Sequence, residues 1–184
     1  MKRFILAITG ASGVCYAKRL FDVLQPLAEL HVVLSERGVE LLKLELDLSP
    51  SYFKKENATV YKNSKINTSI ASGSFKTDGM VIVPASMGTV GRIAAGISSS
   101  LVERAADVVL KEKGKLIIVP REAPFSTIHL KNMLALDQAG GLILPANPGF
   151  YNNPKSVGDL VDFVVARILD QLGVDQGIVP PYSA

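Results

Sequence analysis

The run Phe4-Ile5-Leu6-Ala7-Ile8-Thr9 leads straight into Gly10-Ala11-Ser12-Gly13, and helical patterning begins directly after it. An apolar run, a small-residue turn and a helix make a strand–turn–helix unit, which commits the chain to a class where helices cover a sheet. Such a turn aims several free backbone N–H groups at one point, and the helix dipole adds partial positive charge there. Two readings stand at this stage: a phosphate-holding turn, or an ordinary tight strand–helix connection. Gly10 and Gly13 let the backbone turn and approach a ligand closely, and Ser12 adds a hydroxyl. The turn is not the dinucleotide fingerprint, because the third glycine is missing and no acidic residue closes the next strand.

The same alternation continues along the chain. Strands are expected at 4–9, 30–34, 80–84, 115–119 and 142–145, with a weaker one at 58–62. Helices are expected at 14–25 (ended by Pro26), 37–46, 87–95, 99–112, 126–138 and 155–172. Asn152-Asn153-Pro154 leads into the last, where Val157, Leu160, Val161, Val164, Val165, Ile168 and Leu172 repeat at helical spacing. Strands alternating with helices predict an α/β fold with a parallel sheet covered on both faces. The 184 residues suit one domain, and the tail from Gly173, with Pro180-Pro181, is expected to run extended and pack on a neighbouring subunit.

Composition narrows the class further. Apolar residues make up 48% of the chain, an excess that reads as subunit interface or as a buried helical core. The net charge of +3 is spread among interspersed acids and bases, with no footprint for nucleic acid or a membrane surface. Cys15 is the only cysteine, so no internal disulfide forms and a reducing cytoplasmic setting is expected. It falls one turn into the first helix and reads as a small buried apolar group. Met1-Lys2-Arg3 imitates a signal-peptide start, but the apolar stretch after it is too short for an h-region. No run approaches the roughly 18 apolar residues of a membrane span.

In open parallel sheets, ligands sit beyond the carboxyl ends of the strands. Four predicted strand ends carry small or polar residues: Gly10 to Gly13, Ser35-Glu36, Pro84 to Thr89, and Pro120-Arg121-Glu122. Arg121-Glu122 reads either as an anion ligand beside a proton carrier or as a surface turn. Arg104 and Lys111, seven apart on a helix, present positive charge on one face, for a phosphate or for solvent. Arg167, among valines, either snorkels, pairs with a carboxylate or points into a site. Glu45, late in a helix, reads as surface. Ser69 to Ser74 is a small-residue loop, either a plain connection or a flexible wall of the crevice. His31 and His129 lack partners at ligand spacing and read as structural or surface residues, so no metal site is expected.

These residues together resemble the UbiX family of flavin prenyltransferases. The resemblance rests on the opening Ile-Thr-Gly-Ala-Ser-Gly, Ser72-Gly73-Ser74-Phe75, the stretch from Arg104 to Glu112, Arg121-Glu122-Ala123-Pro124 and Gly149-Phe150-Tyr151, in order from residue 3 to about 172. It implies a flavodoxin-like, Rossmann-like three-layer αβα sandwich that binds FMN and assembles as a homododecamer with sites between subunits. It implies transfer of the dimethylallyl group of dimethylallyl phosphate to N5 and C6 of reduced FMN, without a metal. The product, prenylated FMN, is then the cofactor of UbiD-type decarboxylases. By position, Gly10, Ala11, Ser12, Ser35, Ser86, Met87, Gly88, Thr89 and Arg121 are expected to hold FMN. Lys111, Arg121, Glu122, Tyr151 and Arg167 are expected around the donor phosphate. Glu122 would manage a proton of the phosphate or flavin, and Ser12 with Glu45 would relay the proton lost from C6. Gly88 departs from the family, where a larger residue, often lysine, is common.

Two other readings remain open. A flavin-dependent cysteine decarboxylase of the same fold carries Pro-Ala-Ser-Ala-Asn-Thr where this chain has Pro84 to Thr89. Its asparagine is Gly88 here, and residues 57–83 contain no histidine to serve as its catalytic one. A non-catalytic FMN carrier for a decarboxylase would use the glycine turn and Ser86, but would leave Lys111, Glu122, Tyr151 and Arg167 without a purpose.

Overall fold

Along Lys2–Ile8 (β1) the side chains are sorted by parity: Phe4, Leu6 and Ile8 enter one buried cluster, and Ile5 and Ala7 enter another. A strand buried on both faces needs this near-continuous apolar run, as in the interior of a parallel sheet. In the computed structural model, which describes residues 1–180, β1 lies inside such a sheet. The elements that follow are α1 (Val14–Leu24), β2 (Ala28–Leu34), α2 (Glu36–Leu46), β3 (Ala58–Lys62), β4 (Gly79–Ala85) and α3 (Met87–Ala94). Then come α4 (Leu101–Lys111), β5 (Leu116–Pro120), α5 (Thr127–Gln138), β6 (Gly141–Ile143) and α6 (Val157–Leu172). The six strands are all parallel, in the order β3-β2-β1-β4-β5-β6.

Helices α1, α2 and α6 supply the core on one face of the sheet, and α3, α4 and α5 on the other. This is the three-layer αβα sandwich, with β1 and β4 adjacent at the centre. The chain leaves those two strands toward opposite flanks, so a crevice opens beyond their carboxyl ends. Thr9 spans it at the base. Its buried hydroxyl donates to the Pro84 carbonyl at 2.8 Å and accepts from Ser86 N at 2.8 Å. That is why the first strand stops at Ile8, one residue before the expected end.

Other boundaries move for equally local reasons. The weak strand at 58–62 forms as expected, while β2 begins at Ala28 and β4 at Gly79. The last strand is Gly141–Ile143, not 142–145, and Pro145 has no N–H with which to extend the ladder. The expected helix 99–112 contracts to Leu101–Lys111 because Ser100 and Glu103 form a capping box. A second box, Ser156 with Asp159, starts α6 at Val157 and not at 155. Two short 3₁₀ turns, Pro50–Phe53 and Ser69–Ala71, carry too little pattern to be read from sequence.

The tail leaves α6 at Gly173, whose φ of 64° is left-handed, and Lys2 Nζ donates to the Gly173 carbonyl at 2.5 Å. Val174 and Ile178 pack on the chain's own core, and the tail from Pro181 onward lies outside the described residues. Among the described residues, no helix is long and apolar enough to cross a membrane.

Helix α2 is pressed against the end of β1. A Cβ on Gly38 would lie 2.5 Å from the Ile8 carbonyl oxygen, so only glycine permits this approach. Gly38→Ala is expected to cost about 1–3 kcal/mol, in the range of overpacking substitutions. Chemical denaturation reads this as a lower midpoint, and an unchanged midpoint would show that the α2–β1 contact has slack.

Candidate functional site

Three helices begin at the carboxyl edge of the sheet around one cleft. Ser35 caps α2, its hydroxyl accepting from Gly38 N at 3.0 Å. Ser86 caps α3 by accepting from Thr89 N, and its hydroxyl also meets Thr89 Oγ1 at 3.0 Å. Ser100 caps α4. The cleft between them has a volume of about 710 Å³, inside the ~300–1,000 Å³ range of small-molecule sites. Of the residues singled out in the sequence, it gathers Gly10, Ser35, Glu36, Ser86 and Thr89. It adds Arg37, Lys62, Asn63 and Arg92, which sequence reading missed. Arg37 directly follows Ser35-Glu36 in the first turn of α2, Arg92 lies one turn past Ser86–Thr89 on α3, and Lys62 and Asn63 end a weak edge strand, so none stood out from ordinary surface charge.

The donor set fits a phosphorylated, hydroxyl-rich ligand such as FMN. Helix starts, hydroxyls and three cations face the same space, and Gly10 keeps its floor open. A Cβ there would lie 2.6 Å from Arg37 Cβ. The other residues expected to contact flavin sit around this cleft and do not line it. Ala11 and Met87 are buried beneath it, Ser12 and Gly88 are exposed beside it, and Arg121 Nε donates to the Ser12 carbonyl at 3.0 Å. Arg121 thus braces the glycine turn from the end of β5.

The turn itself behaves differently from the simplest expectation. Gly13 N and Val14 N, the open donors at the start of α1, point to Glu45 Oε2 at 2.9 and 3.1 Å. The turn does attract an anion, but the anion is a carboxylate of its own chain. Glu45 is accordingly half-buried, not the free surface residue its position on α2 suggested. Cys15, next along α1, is also half-buried and not fully enclosed, and burial pushes its thiol above the usual range, away from nucleophilic use.

The residues expected around a donor phosphate are dispersed within one chain. Glu122 lies exposed beside Arg121 and accepts from Ala123 N at 3.0 Å. Lys111 ends α4 at the opposite, amino edge of the sheet, paired with Glu112 at 2.8 Å. Gly73 lies against that pair, and Arg104 Nε donates to the Ala71 carbonyl, so the Ser69–Ser74 loop walls this cluster and not the cleft. Tyr151 and Arg167 line a separate groove of about 340 Å³ on α6, with Tyr151 edge-on to Phe163 and Arg167 paired with Asp170. His31 is structural: it is buried, within 2.9 Å of Tyr61 Oη and 3.0 Å of Glu29 Oε1. His129 serves the α5 capping box. Among the described residues, no group of three or more His, Cys, Asp or Glu could hold a metal ion.

One buried charge sits behind the cleft. Glu103 is 2% exposed and accepts from Arg92 Nε at 2.5 Å, Ser99 Oγ at 2.7 Å, and Ser99 N and Ser100 N at 2.9 Å. Burial alone would raise its pKa. The bonds from Arg92, Ser99 and Ser100 outweigh burial and hold the carboxyl below the ordinary glutamate value.

Residues 1–169 match the Flavoprotein family, which agrees with the fold and cleft. The chain is 47% identical over 176 residues to the flavin prenyltransferase UbiX of Methanocaldococcus jannaschii, covering 96% of each protein. It is 48% identical to the flavin prenyltransferase LpdB of Lactiplantibacillus plantarum, covering 92% of each. Among solved structures, AnUbiX (PadA1) in complex with FMN and dimethylallyl pyrophosphate superposes with a TM-score of 0.96 at 38% identity, covering 100% of this chain and 98% of that one. A dodecameric FMN-dependent UbiX-like decarboxylase from Escherichia coli O157:H7 gives 0.94 at 41% identity, covering 99% and 100%. A PPC decarboxylase matches with a TM-score of 0.57 at 20% identity, a likeness of fold alone. The chain belongs to the UbiX-type flavin prenyltransferases.

The depressed pKa of Glu103 links folding to pH. Its contribution to stability is present above its unfolded pKa of about 4.3 and is lost as pH falls through the lower folded value. Glu103→Gln is expected to lower stability at neutral pH and to flatten its fall in acid, as read from denaturation midpoints between pH 3 and 7. An acid limb identical to wild type would show that this charge carries no share of it.

Proposed function

We propose that this chain transfers the dimethylallyl group of dimethylallyl phosphate to reduced FMN, and that the prenylated product serves a UbiD-type decarboxylase. The observation that carries the reading is the cleft, where three helix starts and three cations converge on Gly10, Ser35, Ser86 and Thr89. Reduced FMN bound there supplies the nucleophilic N5 and the C6 carbon. The protein's tasks are to hold the flavin, to stabilise the departing phosphate and to move protons.

Breaking an allylic carbon–oxygen bond leaves growing negative charge on the phosphate. Lys111, Arg121 and Arg167 would stabilise that charge most strongly in a site closed to water. Glu122, next to Arg121, is suited to carry the proton of the leaving phosphate, and Tyr151 to orient the donor. Ser12 and Glu45 are suited to relay the proton lost from C6, since Glu45 already bonds the backbone one and two residues beyond Ser12.

The dispersal of these groups within one chain supports a shared site in a homo-oligomer, for which we take the dodecamer of the Escherichia coli relative as the pattern. Surfaces suited to such contacts are present: Ile128, Leu130 and Leu134 on α5, and Phe150, Tyr151 and Val157 before and at the start of α6, are all exposed. The readings as a cysteine decarboxylase or as a flavin carrier receive no comparable support.

Glu122→Gln is expected to bind FMN like wild type and to prenylate it about 10²–10⁴-fold more slowly, the usual weight of a proton-transfer group. Mass spectrometry of the flavin after anaerobic turnover measures this, and normal turnover would remove Glu122 from its role. Shared sites have a separate signature. An equal mixture of Lys111→Ala and Tyr151→Phe chains, dissociated and reassembled, should recover about a quarter of wild-type activity if those residues come from different subunits. No recovery would place them on the same chain's site.

A further inference from the structure

We propose that Arg92 is a specificity-determining residue of the cleft: it binds the phosphate end of the flavin and selects FMN over riboflavin. Glu103 is its positioning residue. The assignment rests on the reading of FMN as prenyl acceptor.

Three cations line the cleft, and they are not equivalent. Arg37 is mostly exposed and its Nη1 is drawn outward to Glu40 at 2.5 Å. Lys62 is a single point charge on a flexible stem at the exposed end of the edge strand β3. Arg92 alone is fastened from behind. Its Nε meets the buried Glu103 carboxylate, and its Nη2 points to Thr89 Oγ1 at 3.4 Å, which in turn meets the Ser86 hydroxyl.

That anchoring leaves Nη1 on the free side of the guanidinium. It lies 3.4 Å from where a Cβ on Gly88 would stand, so it sits over the first turn of α3 with no side chain between it and the helix start. Arg92, the Thr89 and Ser86 hydroxyls and the start of α3 therefore stand side by side on the lining of the cleft. A planar fork beside a helix start matches a phosphate dianion, and does nothing for a terminal hydroxyl. Glu103 does not cancel the effect, since its charge is already shared by Ser99 and Ser100 as well as by Arg92. It fixes the guanidinium in advance, which removes the entropy cost of ordering a long side chain on binding.

The test is the affinity of the assembled protein for FMN and for riboflavin, by quenching of flavin fluorescence, in wild type, Arg92→Ala, Arg92→Lys and Glu103→Gln. Arg92→Ala is expected to weaken FMN binding by about tenfold or more while leaving riboflavin within about twofold, so that discrimination collapses. Arg92→Lys should fall between, keeping charge without the fork. Glu103→Gln should lose discrimination with riboflavin affinity retained. Arg92 is about half exposed, and Arg92→Lys keeps a cation beside Glu103, so that variant reports even if Arg92→Ala or the Glu103 variant folds poorly. An equal loss for both flavins, or no loss for FMN, would overturn the assignment while leaving FMN binding in place. Wild type that binds neither flavin would overturn the acceptor reading, and this inference with it.

Discussion

A sheet whose strands are all parallel places every strand-to-helix passage on one edge, and each passage presents unpaired N–H groups to the same small region. The organisation of the protein follows from how that surplus is disposed of. Glu45 takes the donors of α1, Ser35 takes one of α2, Ser86 one of α3, and Ser100 with Glu103 completes the start of α4. Because its serine cap is neutral and no acid stands in its first turn, the start of α3 keeps its positive character, whereas Glu36 in the first turn offsets that of α2. The start of α1 is met by a full carboxylate. On the proposed reading, the ligand's anionic end is met by the helix starts that face the cleft and not by the start of α1.

The glycine turn then has a different task. With α1 fixed by Glu45 and the Ser12 carbonyl held by Arg121, it forms a rigid wall tied to both α2 and the end of β5. Thr9 ties the same wall to β4 through Pro84 and Ser86. A reacting carbon must be held within a fraction of an ångström of a flavin edge, and rigid surroundings of this kind serve that need better than a mobile phosphate loop would.

Much of the layout was legible because it depends on local pattern. Short continuous apolar runs marked the strands, and helical spacing marked the helices between them. Cleft residues that follow a strand directly, such as Ser35 and Ser86, were visible for the same reason. Arg92 was not. Its position on α3 says nothing of Glu103, eleven residues on, and the pair exists only because α3 and α4 pack side by side. Glu45 was misread as surface for a similar reason: its partner is the start of another helix, 31 residues back, reached through the packing of α2 on α1. The dispersal of Lys111, Tyr151 and Arg167 was invisible too, since motif order along a chain does not say which edge of the sheet each motif reaches.

The pairing state of these cations distinguishes their roles further. Lys111 with Glu112, and Arg167 with Asp170, are exposed pairs between near neighbours in sequence and contribute little to stability. So weak a pair keeps a cation from repelling others before assembly, yet yields readily to a phosphate oxygen in a site from which water has been excluded. Arg92 is the opposite case. Its carboxylate partner is buried and fully hydrogen-bonded, and separating the two would leave Glu103 buried with only its Ser99 and Ser100 donors. Arg92 can therefore add a ligand but cannot exchange its partner for one. Exchangeable cations suit a substrate phosphate that must be released after each turnover, whereas a fixed cation suits a flavin that must be held still through the reaction.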